Sequence, residues 1–411
     1  MANTCRGVYI HVARMQLIIM RSKIMLNTIC NLQSTGITID SADSRVKPCC
    51  HFDPSKTLDI PDISEVENLD QVLGSKLTKR IKKQTSREKI PQCNTCWNRE
   101  KTKTLSRREW FNGKINGDGN KVEHLQIALD FTCNLMCRIC APKHSSKWNS
   151  AKDVVDELKS ITGQPVYTTN PLKQNYSENL KRVIQNSDLS NLKSVEIIGG
   201  EPFYSKHFNW LIETISEKSN PKNIEFICVT NATIFPSKDT LDKLLRFKRC
   251  NIRLSIDGTG PLAESTRYGV NWNTIDQNIN AWAKQKKANT GQLEVRANPT
   301  ISILNVNKCQ EIIDYFDDWK DMRVSPHALQ GPDWLCLEQI PVEIRKQWEP
   351  KYWHPEQNKQ FKNIVLSDRK VKNLLKQFIQ STQVLDNHYG KCFKDSNPEM
   401  YETIERLANV D

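Results

Sequence analysis

From about residue 122 onward, two apolar patterns alternate along the chain. One is a short, mostly β-branched run. The other is a longer stretch whose apolar positions recur every three to four residues. The short runs read as strands: HLQIALDF (His124 to Phe131), SVEIIGG (Ser194 to Gly200), NIEFICVT (Asn223 to Thr230), NIRLSIDG (Asn251 to Gly258), LEVRANPTIS (Leu293 to Ser302) and MRVSPHAL (Met322 to Leu329). The stretches between them read as helices, among them HFNWLIETISEK (His207 to Lys218), KDTLDKLLRF (Lys238 to Phe247), TIDQNINAWAKQKK (Thr274 to Lys287) and KCQEIIDYFDDWK (Lys308 to Lys320). Parallel strands need a crossover, usually a helix, so this alternation predicts an α/β fold with a parallel sheet. From Trp334 to Asp411 the pattern turns helical.

Polar residues collect where the strands end. Cys133 follows the first, Gly199-Gly200-Glu201 closes the second, Thr230 and Asn231 the third, and Ser255 and Asp257 the fourth. In parallel α/β sheets and barrels that edge is where ligands bind. No G-x-G-x-x-G follows the first strand; cysteines do.

The region before residue 122 reads differently. The first 24 residues do not resemble the rest, and Met15, Met20 and Met25 all offer starts, so folding is expected to begin near Met25. From there to about Phe111 the chain is rich in cysteine, proline and charge. GITID (Gly36 to Asp40) alternates like a short strand, and Ser64 to Gln84 reads as one helix capped by Ser64. NGKINGDGN (Asn112 to Asn120) is the expected boundary. The predicted organisation is an extension (1–24), a cysteine-rich domain (25–115), a β/α core (120–330) and a helical tail (331–411).

Composition narrows the function classes. At 411 residues the chain exceeds one ordinary core. No apolar run reaches the ~20 residues of a membrane span. Val8 to Met20 is short, broken by His11 and Arg14, and lacks a small-residue cleavage site, so the expected location is the cytoplasm. The net charge of +12 admits an acidic partner, but the basic residues are dispersed, as on a solvated surface. Fourteen cysteines are many for a reducing compartment, where clustered thiols point to metal or catalysis.

Cys133, Cys137 and Cys140 form C-x3-C-x2-C. A structural zinc wants four ligands, so these three would need a remote fourth. A cubane of four irons and four sulfides takes one thiolate per iron. Three cysteines would leave one iron open to a small molecule carrying an amine and a carboxylate. Upstream, Cys30 and Cys49 with Cys93 and Cys96 supply four thiols, enough for a tetrahedral zinc or a fully ligated iron–sulfur cluster. Cys50 competes with Cys49 for that role.

The triad with Gly199-Gly200-Glu201-Pro202 resembles the radical S-adenosylmethionine (radical SAM) superfamily over roughly residues 122–328. The resemblance implies a partial (β/α)6 TIM-like barrel and a [4Fe–4S] cluster held by Cys133, Cys137, Cys140 and S-adenosylmethionine. One electron splits the sulfonium C5′–S bond, and the resulting 5′-deoxyadenosyl radical abstracts hydrogen from a substrate. Gly199, Gly200 and Glu201 then serve the methionine moiety, Ser255 and Asp257 the ribose hydroxyls, and Arg267 in STRYG the methionine carboxylate. SIDG also reads as a plain strand and turn, and Arg267 as a structural arginine. Ile139 stands where an aromatic residue is common.

The N-terminal cysteines are similar to SPASM/twitch modules, which carry auxiliary [4Fe–4S] clusters. Ser44 stands where those modules usually have glycine. VKPCCHF, CNTCWNRE, LSRREWFN and LDNHYGKCFKDSNPEMYE look like the radical SAM proteins whose twitch domain precedes the barrel. The resemblance therefore implies two clusters, a reducing electron donor and an unidentified peptide or small-molecule substrate. The rival reading is a zinc-stabilised basic nucleic-acid-binding protein without catalysis. His144 reads as a loop residue, His327 as a residue at the substrate edge or a structural one, Trp334, Trp348 and Trp353 as packing residues, and Lys76 to Lys83 as a solvated basic face.

Overall fold

The computed structural model describes residues 28–56, 59–101, 105–117, 121–163, 175–317 and 321–409. The expected extension over 1–24 and the start near Met25 lie outside them. The chain divides into two compact units.

The smaller unit holds the described residues up to Ile39, with Ser44–Gln126 and Glu178–Lys193. In it β1 (Gly36–Ile39) pairs antiparallel with β2 (Val46–Lys47), Thr38 opposite Lys47. The stretch expected as one helix from Ser64 is broken into a 3-10 turn (Ile63–Glu65), a helix (Leu69–Leu73) and a second helix (Lys76–Thr85). Local hydrogen bonds dictate the breaks. Asp62, Asn68 and Ser75 each cap a new start, accepting from Ser64 N, Gln71 N and Thr78 N, and Gly74 interrupts the apolar period. Ser106 and Glu109 form a capping box on the helix Arg107–Asn112. The core gathers Leu32, Phe52, Ile81, Trp97 and Phe111 with three cysteines, Cys30, Cys49 and Cys93. The segment 178–193 joins this unit through Ser187 Oγ, which accepts from Leu69 N at 2.8 Å, and through an Arg182–Glu67 ion pair at 2.9 Å. The strand β3 (His124–Ala128) begins here.

The larger unit holds Asp40–Asp43, Ile127–Ser177 and the described residues from Ser194 onward. It contains the end of β3, β4 (Met136–Cys137), β5 (Ser194–Ile198), β6 (Glu225–Thr230), β7 (Arg249–Leu254), β8 (Arg267–Tyr268), β9 (Leu293–Ala297), β10 (Thr300–Ile301), β11 (Arg323–Val324) and β12 (His327–Ala328). β5, β6, β7, β9 and β11 are neighbours in that order, all parallel. This is an α/β fold with a mostly parallel sheet, matching a partial TIM-like barrel. The expected last two strands are each interrupted, the fifth at Asn298-Pro299 and the sixth at Ser325-Pro326, because proline cannot donate to a ladder.

Alternation assigns the two faces of this sheet. Phe226, Cys250, Ile252, Val295 and Ala297 are fully buried. Phe226 stacks near Phe208 and Phe247, which places the helix Phe208–Lys218 on that face. The tail is helical as expected, with helices Pro355–Val365, Leu375–Tyr389 and Pro398–Ala408. Trp334 is fully buried and packs near Phe378, the packing role expected of it. No described helix is long and apolar enough to cross a membrane.

Candidate functional site

In the larger unit, the loop after β3 turns back so that β4, carrying Cys137, pairs antiparallel with β8, with Cys137 opposite Arg267. Three bonds hold the loop. Ser146 Oγ accepts from Cys133 N at 3.1 Å, Ser145 Oγ donates to Leu135 O at 2.6 Å, and Tyr389 Oη donates to Met136 O at 2.7 Å.

Glycines 199 and 200 bring the second strand end against this loop. Both have positive φ, +82° and +50°. A Cβ on Gly200 would lie 2.3 Å from Thr132 O, and one on Gly199 would lie 2.7 Å from Ala128 Cβ. Only glycine fits such positions without displacing the backbone. Glu201 N then donates to Thr132 O at 2.8 Å, one residue before Cys133.

Glu201 is buried, 1% exposed, and its carboxylate is fixed by the third strand end. It accepts from Thr230 Oγ1 at 2.7 Å, Asn231 N at 2.6 Å and Phe203 N at 3.2 Å. Burial pushes the carboxyl up to about 7, against the pull of those bonds and of Arg267. Thr230 and Asn231 are therefore more than a strand-end turn. Asn231 Nδ2 also donates to Asn134 Oδ1 at 3.0 Å and lies 3.9 Å from Cys133 Sγ.

Asp257 and Arg267 bind each other, Nε at 2.8 Å and Nη2 at 2.6 Å from Asp257 Oδ2. Asp257 Oδ1 accepts from Thr300 N at 2.8 Å. Ser255, half-buried, continues the ladder by donating its N–H to Thr230 O at 2.8 Å. The Arg267 guanidinium acts on Cys137 and Cys140 as well, and Cys133 feels both Glu201 and Arg267. The structure thus brings Cys133, Cys137, Cys140, Glu201, Asp257 and Arg267 into one electrostatic neighbourhood. Burial raises all three thiols, Cys140 to about 12; Cys137 is raised further by Cys140 and Cys133, and Cys140 by Cys133. Left alone, these sulfurs stay protonated. A bound cationic centre is what converts such a set to thiolates, so the donor set fits an iron–sulfur cluster.

In the smaller unit, Cys30, Cys49, Cys93 and Cys96 line one small cavity with Gln33, His51, Arg107 and Arg108. Cys49 is buried, whereas Cys50 is half-buried. Gln33 Nε2 donates to Cys93 Sγ at 3.2 Å. Backbone N–H groups of Arg108 and Arg107, in the first turn of their helix, donate to Cys96. Burial raises these thiols too, Cys30 to about 11 and Cys93 to about 12, while Arg108 lowers both. Arg108 is held by Glu100 at 2.9 Å and by Ile29 O at 3.0 Å. Among the described residues no three His, Cys, Asp or Glu side chains converge on a single metal ion.

Sequence reasoning missed several residues. Arg138, inside the cysteine motif, is 1% exposed, donates to Ser265 O at 2.7 Å and pairs with Asp386. It also lies over the rings of Tyr389 and Phe393. A charged residue between two cysteines was the available signal. His144 is exposed; His327 is exposed and its ring nitrogen meets Asn298 Oδ1 at 3.1 Å.

Residues 131–292 match the model of the radical SAM superfamily, so this stretch is a radical SAM domain. Two relatives named GTP 3′,8-cyclase are similar to part of the chain. The protein from Aliarcobacter butzleri is 24% identical over 140 residues, 34% of this chain and 36% of its own length. That from Pelotomaculum thermopropionicum is 24% identical over 173 residues, 41% and 46%. The chain thus spans less than half the length of the curated relatives it matches. The crystal structure of Streptococcus suis SuiB bound to S-adenosylmethionine shares 18% identity over 55% of this chain and 42% of that one, with a TM-score of 0.32.

Proposed function

We propose that this chain is a radical SAM enzyme that reductively cleaves S-adenosylmethionine and abstracts hydrogen from a peptide or small-molecule substrate. The observation that carries the reading is the meeting of Cys133, Cys137 and Cys140 with the Gly199-Gly200-Glu201 turn at the C-terminal edge of a parallel sheet. Cys133, Cys137 and Cys140 would hold a [4Fe–4S] cluster, three thiolates for four irons. When bound, the cluster supplies the electron that splits the sulfonium into methionine and a 5′-deoxyadenosyl radical.

The chain's own residues bind and orient. Gly199 and Gly200 let backbone approach the methionine moiety, and Glu201 accepts from its amino group. Ser255 and Asp257 would meet the ribose hydroxyls, Asp257 through oxygens that also accept from Arg267 and Thr300 N. Arg267 acts on Cys137 and Cys140, and its remaining N–H groups would hold the methionine carboxylate. Cys30, Cys49, Cys93 and Cys96 would hold an auxiliary [4Fe–4S] cluster in a twitch-like domain. Four thiols favour full ligation, hence electron transfer or structure over substrate binding. An electron donor and a reducing, cytoplasmic setting belong to the same reading.

Anaerobic reconstitution followed by a strong reductant should yield 5′-deoxyadenosine, measured by mass-detected chromatography. Cys137→Ala should yield none above background; equal yields from both chains would overturn the assignment. Metal and sulfide analysis separates the zinc-stabilised nucleic-acid-binding alternative, which requires zinc without sulfide.

A further inference from the structure

The helix-covered face of the larger unit's sheet is apolar; the opposite face is charged. In register, Val229 stands beside Arg253, Arg253 beside Arg296, and Arg296 beside Arg323. Parallel register partners share a face, so three guanidiniums stand side by side on β7, β9 and β11. At ~4.8 Å between strands, their stems span about 10 Å. Like charges on adjacent strands repel, and such a row costs stability unless something offsets it.

The protein offsets it only in part. Glu196 pairs with Arg253 at 2.9 Å. Arg296 gives its Nε to a neutral partner, Asn251 Oδ1, at 3.1 Å. Glu294 lies two residues earlier and faces Arg249 at 3.6 Å. Among the described residues, neither Arg296 nor Arg323 has a carboxylate within ion-pair distance, and the buried Nε of Arg253 has no hydrogen-bond partner. Burial first, then Arg253, pulls Arg296 down to about 10; Glu294 opposes the shift, Arg249 and Arg323 add to it, and the group is still a cation at neutral pH. One step toward the C-terminal edge the ladder continues through Ser255, Asn298 and Ser325, whose N–H groups donate to Thr230, Leu254 and Ala297. That is the edge where Cys133 and Glu201 lie.

We propose that Arg253, Arg296 and Arg323 form an anion-binding row on the sheet face opposite the helix Phe208–Lys218, half-buried at Arg253 and Arg296 and exposed at Arg323, that takes the phosphoryl groups of the substrate. The molecule acted on is then a phosphate-bearing small molecule rather than an uncharged peptide side chain. A carboxylate offers two coplanar oxygens, which one guanidinium fork satisfies. Three forks over about 10 Å match the larger oxygen set and charge of a phosphate chain. Reading the row as a substrate site rests on the radical SAM function proposed above.

Inorganic tripolyphosphate, titrated calorimetrically into the full-length, anaerobically reconstituted chain without reductant, tests the row. It should bind, and citrate should bind at least about tenfold more weakly. Arg296→Gln should weaken tripolyphosphate at least about tenfold, while Arg249→Gln, four residues before Arg253 and next to Glu294, should stay within about twofold. Arg323→Gln, exposed on a two-residue strand, is tolerated by the fold and should weaken binding about threefold or more. No binding at about 1 mM, equal affinity for citrate, or unchanged affinity in both Arg296→Gln and Arg323→Gln would overturn the proposal. The titration needs no turnover. Tripolyphosphate bound by a chain that makes no 5′-deoxyadenosine therefore overturns the enzymatic reading and its substrate site, and the converse overturns the anion row alone.

Discussion

The two cysteine sites bury their sulfurs to a similar degree and differ in what else is aimed at them. Around Cys30, Cys49, Cys93 and Cys96 stand donors and cations: Gln33, the backbone N–H groups of Arg107 and Arg108, and the Arg108 guanidinium. These groups stabilise thiolates; His51 Nδ1 lies 3.9 Å from Cys96 Sγ, and the Glu100 carboxylate that acts on Cys96 is bound to Arg108. Around Cys133, Cys137 and Cys140 stand a buried carboxyl with a pKa of about 7, an Asp257–Arg267 pair and two glycines with backbone pressed close. Donor count alone separates closed from open ligation. On the proposed reading, the surrounding groups are suited to an amino group and a carboxylate at the open position.

The comparison is broken most directly by deleting one thiol at each site. Cys93→Ala should remove the auxiliary cluster and lower iron and sulfide per chain by about half, as should Cys137→Ala. Only the Cys137 variant should abolish 5′-deoxyadenosine outright. If Cys93→Ala leaves iron unchanged and removes zinc instead, the smaller unit holds a mononuclear site and the two regions do not share a chemistry.

Gly200→Ala should come next in size. Its Cβ would meet Thr132 O at 2.3 Å, and φ of +50° is a further strain. A cost of about 1–3 kcal/mol falls on the turn that faces Cys133. We expect a loss of about tenfold to a hundredfold in 5′-deoxyadenosine rate, with iron content retained. Loss of iron in step with rate would show that the turn holds the loop rather than the cofactor.

Glu201 gives a pH signature that the smaller unit lacks. Burial raises this carboxyl from its ordinary 4.5 to about 7, so the folded chain holds the proton more tightly than the unfolded one. Below 4.5 both states are protonated and the group costs nothing; as pH rises to about 7 that stability is lost, and above it the penalty is constant. Glu201→Gln should flatten this part of the stability profile. On the proposed reading the ionised carboxylate is the form that binds S-adenosylmethionine, so the ratio of wild-type to variant affinity should grow about tenfold between pH 6 and 8. Taking the ratio cancels the ligand's own titration. A ratio independent of pH would remove Glu201 from the cofactor site.

The sequence reveals the strand–helix alternation because each element declares its own period. It reveals the thiol triad and the GGE turn because glycine and cysteine have few other uses in such a pattern. What it hides is non-local. Arg138 meets Asp386 across 248 positions, and Tyr389 reaches Met136 across 253. No local pattern near the tail announces that it anchors the cysteine loop. Asn231 reads as a turn until its N–H is seen on Glu201. The arginine row is legible only once register is known, since Arg253, Arg296 and Arg323 lie far apart in the chain. The single helix expected from Ser64 fails for the opposite reason: three short-range caps outcompete a weak apolar period.

Ser44 offers the smallest and cleanest test of the smaller unit. Its φ is +57°, in the left-handed region, and its carbonyl accepts from Ile63 N at 2.7 Å, so the turn between β1 and β2 is held from both sides. A side chain there costs about 1–2 kcal/mol relative to a relaxed backbone. Glycine removes that strain but makes the unfolded chain more flexible, which returns about 0.5–1 kcal/mol. Ser44→Gly should therefore stabilise the smaller unit by about 0.5–1 kcal/mol, or raise its thermal midpoint by a few degrees. Ser44→Ala keeps the strain and should gain nothing. The pair isolates backbone from hydroxyl. A midpoint that falls in both variants would mean that the hydroxyl, rather than the turn, is what this position supplies on the way to Cys49.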